Sequence, residues 1–142
     1  MRGGGRIQAG ERDTVELRIP AHPENLALAR LALAGVGTLA GAGEDVIADL
    51  KVAVTEACTN AIQHAYPEGV GRIVIRYRVG SEALEVEVED DGAGFDPSDP
   101  GADASENVDG QGMGLMIIRE LTDEARFESD DSGSRIAFAR SC

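Results

Sequence analysis

Between residues 72 and 90 side chains alternate with a period of two, interrupted by one short turn, and few folds accept such a stretch. Ile73, Ile75, Tyr77 and Val79 alternate with Arg72, Val74, Arg76 and Arg78, while Leu84, Val86 and Val88 alternate with Glu85, Glu87 and Glu89. Gly80, Ser81 and Glu82 lie between the two runs. Residues two apart share one face of a strand, so the pattern predicts a hairpin with an apolar face to bury and a charged face toward water. Arginines on one strand stand opposite glutamates on the other, where cross-strand ion pairs are expected. Asp90 continues the parity of Leu84, Val86 and Val88, so the pleat aims a carboxylate at the buried side, where it needs a donor.

The segments on either side complete the layer that this hairpin requires. Residues 14–19 alternate, with Val15, Leu17 and Ile19 on one face, and Pro20 ends the strand. Pro23 suits the first position of a helix, in which Leu26, Ala29, Leu33 and Val36 recur at helical spacing until glycines at 35, 37, 41 and 43 break it. A longer helix is predicted over residues 44–65, with Ile47, Leu50, Val54, Cys58 and Ala61 as its apolar stripe and Tyr66-Pro67-Glu68-Gly69 as its stop. Residues 96–109 form a polar loop, long enough to act as a lid. A third helix over 115–121 follows, then a second hairpin with strands near 125–128 and 135–139. The expected class is α/β, a two-layer α+β sandwich in which a mixed, mostly antiparallel sheet carries three helices on one face. Residues 1–13 read as a disordered lead and 14–142 as a single domain.

Composition removes several functions. The 142 residues leave room for one core. Acidic residues outnumber basic ones 26 to 13, a net charge of −13, which argues against direct nucleic-acid binding. Lys51 is the single lysine and there is no phosphate-gripping P-loop. Nothing resembles a signal peptide or approaches the ~20 apolar residues of a membrane span, so a cytoplasmic protein without a membrane partner is expected. Cys58 and Cys142 make no disulfide framework, and no Cys/His spacing suits zinc.

Three motifs carry chemistry. Glu56 and Asn60 are four residues apart on the second helix and share one face, where an amide oxygen suits a hard cation such as Mg²⁺ and a carboxylate suits a base. The plainer alternative is an exposed hydrogen-bonded pair. In Asp90-Asp91-Gly92-Ala93-Gly94, the carboxylate could accept from the amino group of an adenine while Gly92 and Gly94 let backbone approach the ring; alternatively Asp90 caps a turn amide. In Gly110-Gln111-Gly112-Met113-Gly114, free amides ahead of the third helix could cradle phosphates without a lysine, or the glycines form a hinge. His64 continues the Glu56/Asn60 stripe and either supports that site or bonds locally at a helix end.

Residues 49–66, which read DLKVAVTEACTNAIQHAY, and residues 19–24 resemble the bacterial anti-sigma-factor serine kinases, within the ATP-binding family of gyrase B, Hsp90-type chaperones and histidine kinases. The likeness extends over about residues 14–140. It implies a Bergerat-type fold that binds ATP or ADP, with Asn60 holding Mg²⁺, Glu56 as base, Asp90 reading adenine, and Gly92, Gly94, Gly110, Gly112 and Gly114 shaping the pocket. Ser134 stands where the family usually has threonine beside the adenine-reading aspartate. Arg30 resembles an arginine that faces a bound partner, though it also reads as a solvated helix residue. The family's partners are a sigma factor and an anti-anti-sigma factor phosphorylated on serine, and the branch implies a homodimer. No Lys or Arg occurs between residues 96 and 114, where some relatives place a basic residue near the terminal phosphate. That absence favours the alternative of an ATP-responsive binding module which captures a partner without transferring phosphate. The catalytic half of a histidine kinase is a third reading, but the chain lacks room for a phospho-acceptor helix pair.

Overall fold

The computed structural model describes residues 13–65, 71–92, 111–130 and 133–142. Strand β1 (Asp13–Pro20) leads through a short 3₁₀ turn (Pro23–Asn25) into helices α1 (Leu26–Ala40) and α2 (Glu44–Ala65). The hairpin β2 (Arg72–Val79) and β3 (Ala83–Asp90) follows, then α3 (Gln111–Leu121) and the hairpin β4 (Glu124–Asp130) and β5 (Gly133–Ser141). The five strands lie in the order β1-β2-β3-β5-β4, and every pairing among them is antiparallel. The expected mostly antiparallel sheet is therefore antiparallel throughout the described residues. The greater part of the expected lead and the whole lid, 96–109, lie outside those residues.

The period-two reading of the first hairpin holds for its apolar face, while on the other face Glu87, expected toward water, is only 6% exposed beneath its arginines. Ile73, Ile75, Tyr77, Val79, Leu84, Val86 and Val88 are buried together with Ile136 and Phe138 of β5, beneath Leu33 and Val36 of α1, Leu50, Val54 and Cys58 of α2, and Ile118 of α3. Tyr77 reaches across this layer, and its hydroxyl donates to the Ala29 carbonyl at 2.8 Å, which satisfies the one polar atom of the ring in the core. Burial also pushes the Cys58 thiol up to about 12.

Two helix boundaries depart from expectation, each because a glycine is kept for packing. Gly35 and Gly37 do not break α1, which runs on to Gly41, where φ of +78° supplies the left-handed end. A Cβ on Gly37 would stand 2.8 Å from Ile47 Cγ1, so glycine there lets α1 and α2 approach closely. Helix α3 starts at Gln111 rather than 115, taking Gly112 and Gly114 into its first turn at a propensity cost of about 1 kcal/mol each.

The outer face of the sheet is a ladder of charges. Arg78 and Arg135 hold Glu87 at 2.6 and 2.8 Å, Arg76 joins Glu89 at 2.7 Å and Glu16 at 3.1 Å, and Arg126 joins Glu85 at 3.1 Å. The expected cross-strand pairs thus form, and they extend beyond the first hairpin into β1, β4 and β5.

Candidate functional site

Helix α2 packs over β3 and β5, the strands that carry Asp90 and Ser134, and alongside α3. Asn60 belongs to its buried side, only 5% exposed, and the amide nitrogen has no hydrogen-bond partner among the described residues. A buried amide left unpaired costs free energy comparable to a lost hydrogen bond, so its retention points to a ligand. Turned over, the same amide presents an oxygen at that place, the donor a hard cation takes. Asn60 is therefore no exposed partner for Glu56.

Glu56, one turn earlier, is half-buried, and burial holds its carboxyl above the usual range. No Lys or Arg among the described residues pairs with it. A Cβ on Gly114 would lie 2.7 Å from Glu56 Oε1, so the carboxylate rests against the first turn of α3. The first amides of a helix have no acceptor within the helix, which suits an anion there. Gly112 shares that turn, whereas Gly94 and Gly110 lie outside the described residues, as does the side chain of His64.

Asp90, the last residue of β3, is 6% exposed on the helix-facing side, as its parity requires. Its Oδ1 accepts from the Gly92 amide at 2.9 Å and its Oδ2 accepts from the hydroxyl of Ser134, its partner across the β3–β5 ladder. Asp90 thus caps a turn amide, as the plainer alternative has it, and does so from a buried position. Desolvation raises its pKa, and the bonds from Ser134 and Gly92 oppose that rise.

Gly133, which lies between the two strands expected near 125–128 and 135–139, shapes this corner. Its φ is +142°, and a Cβ would stand 2.1 Å from the Asp90 carbonyl oxygen and 2.9 Å from Asp91 Cα. Only glycine lets β5 approach this closely. The signal was present in the sequence as a glycine immediately before the residue expected beside Asp90.

Arg30 stands apart from these groups, at the seam of α1 and α2, where its Nη1 donates to Thr55 Oγ1 at 3.3 Å. Beyond it α1 is apolar on its solvent side as well, with Leu28, Leu31 and Leu39 exposed, the last at 84%. No helix among the described residues is long and apolar enough to cross a membrane.

Comparison with known proteins bears on the whole of this arrangement. Residues 19–140 match the histidine kinase-like ATPase domain family. The chain is 40% identical over 138 residues to the serine-protein kinase RsbW of Bacillus velezensis, covering 90% of this chain and 85% of that protein. The serine-protein kinase RsbW of Listeria monocytogenes is 39% identical over 132 residues, with 86% and 83% covered. Among solved structures, the RsbU and RsbW domains of a Mycobacterium tuberculosis protein superpose with a TM-score of 0.68 at 22% identity, covering 91% of this chain and 32% of that one. The histidine kinase domain of a blue-light activated kinase from Erythrobacter litoralis gives a TM-score of 0.55 at 23% identity, covering 86% of this chain and 61% of that one. These two likenesses concern the fold.

Proposed function

This chain belongs to the histidine kinase-like ATPase domain family, and on that premise we propose an ATP-dependent protein serine kinase that modifies an anti-anti-sigma factor and sequesters a sigma factor. The observation that carries this reading is the seating of the Glu56 carboxylate against the first turn of α3, one helical turn from Asn60, whose buried amide nitrogen has no partner among the described residues. Relatives named serine-protein kinase, about 40% identical over most of their length, support it.

The residues present fit Mg-ATP. Asn60 is the metal ligand in this reading, and the first-turn amides of α3 with Gly112 and Gly114 receive phosphate oxygens. Asp90, steadied by Ser134 and Gly92, accepts from the adenine amino group. Gly94 and Gly110 complete the pocket by resemblance. Bound Mg-ATP supplies the transferable phosphoryl group and the cation that offsets its charge. Glu56 takes the proton of the serine hydroxyl at its carboxylate, and its raised pKa makes it a better proton acceptor than an ordinary glutamate.

The apolar solvent side of α1, with Arg30 at its seam, is a surface fitted to a protein partner. We place the domain at 14–142, as a cytoplasmic homodimer. Incubating the purified protein with γ-labelled ATP and a lysate of its host, beside Glu56→Gln, tests the reading. A small acid-stable phosphoprotein made only by the wild type is expected. ATP binding without any labelled product would replace the kinase by an ATP-responsive binding module.

A further inference from the structure

Arg140 shares the helix-facing parity of Ser134, Ile136 and Phe138 on β5, but its guanidinium reaches up between two helices instead of ending in the core. Its Nη1 donates to Asp49 Oδ2 of α2 and, at 3.1 Å, to the carbonyl of Leu121, the last residue of α3. The side chain is 23% exposed. A cation at that place also meets the negative end of the α3 dipole.

This bridge ties α2 to α3 near one end of the stretch over which they pack, and further along that stretch Glu56 rests against Gly114. Along α2, Asp49 and Glu56 are seven residues apart, and along α3 so are Gly114 and Leu121. The order is reversed, so the helices run antiparallel, and each span is two turns, about 10 Å. A slip of one residue would bring Met113 or Leu115 to the position where a Cβ stands 2.7 Å from Glu56 Oε1, so the carboxylate would have to swing away from the turn.

The geometry points to Arg140 as a positioning residue: by locking the end of α3 in register with α2, it sets the first turn of α3 against Glu56 two turns away. This rests on the reading that Glu56 and that turn face the phosphates. The base-reading pair is served differently. Ser134 lies six residues back along β5, about 20 Å from Arg140, and meets Asp90 directly. Loss of the bridge therefore weakens the hold on phosphates and leaves the hold on adenine alone.

Calorimetric titration of ADP and of adenosine into wild type, Arg140→Gln, Asp49→Asn, the double variant and Arg140→Lys tests this. Arg140→Gln and Asp49→Asn are each expected to weaken ADP about fivefold or more, with adenosine unmoved and the double variant no worse than the stronger single one. Arg140→Lys, which keeps a cation for Asp49 and Leu121, should recover most of the loss. Folded variants that keep the wild-type ratio of the two affinities overturn the proposal. So does an equal fall for both ligands, the mark of general loosening. If Arg140→Gln does not fold, Asp49→Asn and Arg140→Lys decide by the same ratio. A wild type with no preference for ADP over adenosine would instead remove the phosphate site itself, a failure distinct from that of the bridge.

Discussion

Carboxylates on the two sides of one sheet are pushed in opposite directions. On the outer face Glu16 is held below the usual range chiefly by Arg18, and Glu89 chiefly by its hydrogen bond from Arg76. On the helix side burial pushes Glu56 and Asp90 above it, without a cation paired to either among the described residues. The outer carboxylates are neutralised by the neighbours that strand pairing gives them, so their work is finished when the chain folds. The inner pair is desolvated without a counter-ion among the described residues, which costs stability and suits a site that a ligand or a reaction completes.

The largest test of that contrast is Glu56→Gln. It should lower phosphate transfer by about a hundredfold or more, the usual worth of a positioned base, while ATP affinity in calorimetry changes little. Transfer at the wild-type rate would remove Glu56 from the chemistry and erase the difference between the two faces.

Glu87→Ala asks the converse. Glu87 is 8% exposed at its side chain and is reached by Arg78, Arg135 and Arg76. Because those arginines keep part of their hydration, the expected loss of stability is about 2 kcal/mol, below that of a wholly buried pair. Urea unfolding measures it. ATP affinity should stay at the wild-type value, and a fall in affinity without a matching fall in stability would mean that the outer face is part of the site.

Asp90→Asn sharpens the inner side. Ser134 can still donate to the amide oxygen, but the amide nitrogen then stands where Oδ1 accepted from the Gly92 amide, so the turn cap is lost together with one acceptor. Nucleotide affinity is expected to drop about tenfold, the worth of one buried hydrogen bond to a charged group. Unaltered affinity would leave Asp90 as a turn cap alone.

Much of this contrast is legible in the sequence. Strict alternation placed Asp90 inward and the Arg and Glu rows outward, because parity in a strand admits one answer once a single face is assigned. Helical spacing put Glu56 and Asn60 on one side of α2. The start of α3 was not legible, since glycine lowers helix propensity and the reason for Gly114 is a carboxylate from another helix, nearly sixty residues away in sequence. Arg140 was equally hidden: its parity is that of Ile136 and Phe138, but its partners Asp49 and Leu121 become neighbours only when α2 and α3 pack. Gly133 reads as a turn residue until the Asp90 carbonyl is seen at its Cα.

The smallest expected effect lies in how stability follows pH, and its sign distinguishes the faces. Glu16 and Glu89 have lowered pKa values in the folded chain, so they bind fewer protons than when unfolded. Their contribution is present above the ordinary carboxylate range and is lost as pH falls through the lowered values. Glu56 is raised, so its folded form keeps a proton that the unfolded chain has released. Its contribution is present at low pH and is lost as pH rises through the raised value. Glutamine imitates the protonated form at every pH. The melting temperature of Glu56→Gln relative to wild type should therefore increase between about pH 4 and about pH 8, by no more than a few degrees. Glu89→Gln should do the reverse in a lower window: it trails the wild type at neutral pH and regains ground as pH falls through and below the ordinary carboxylate range, where the pairing with Arg76 is lost. Two differences of the same sign would show that Glu56 meets a compensating charge after all, and the inner carboxylates would then be as complete as the outer ones.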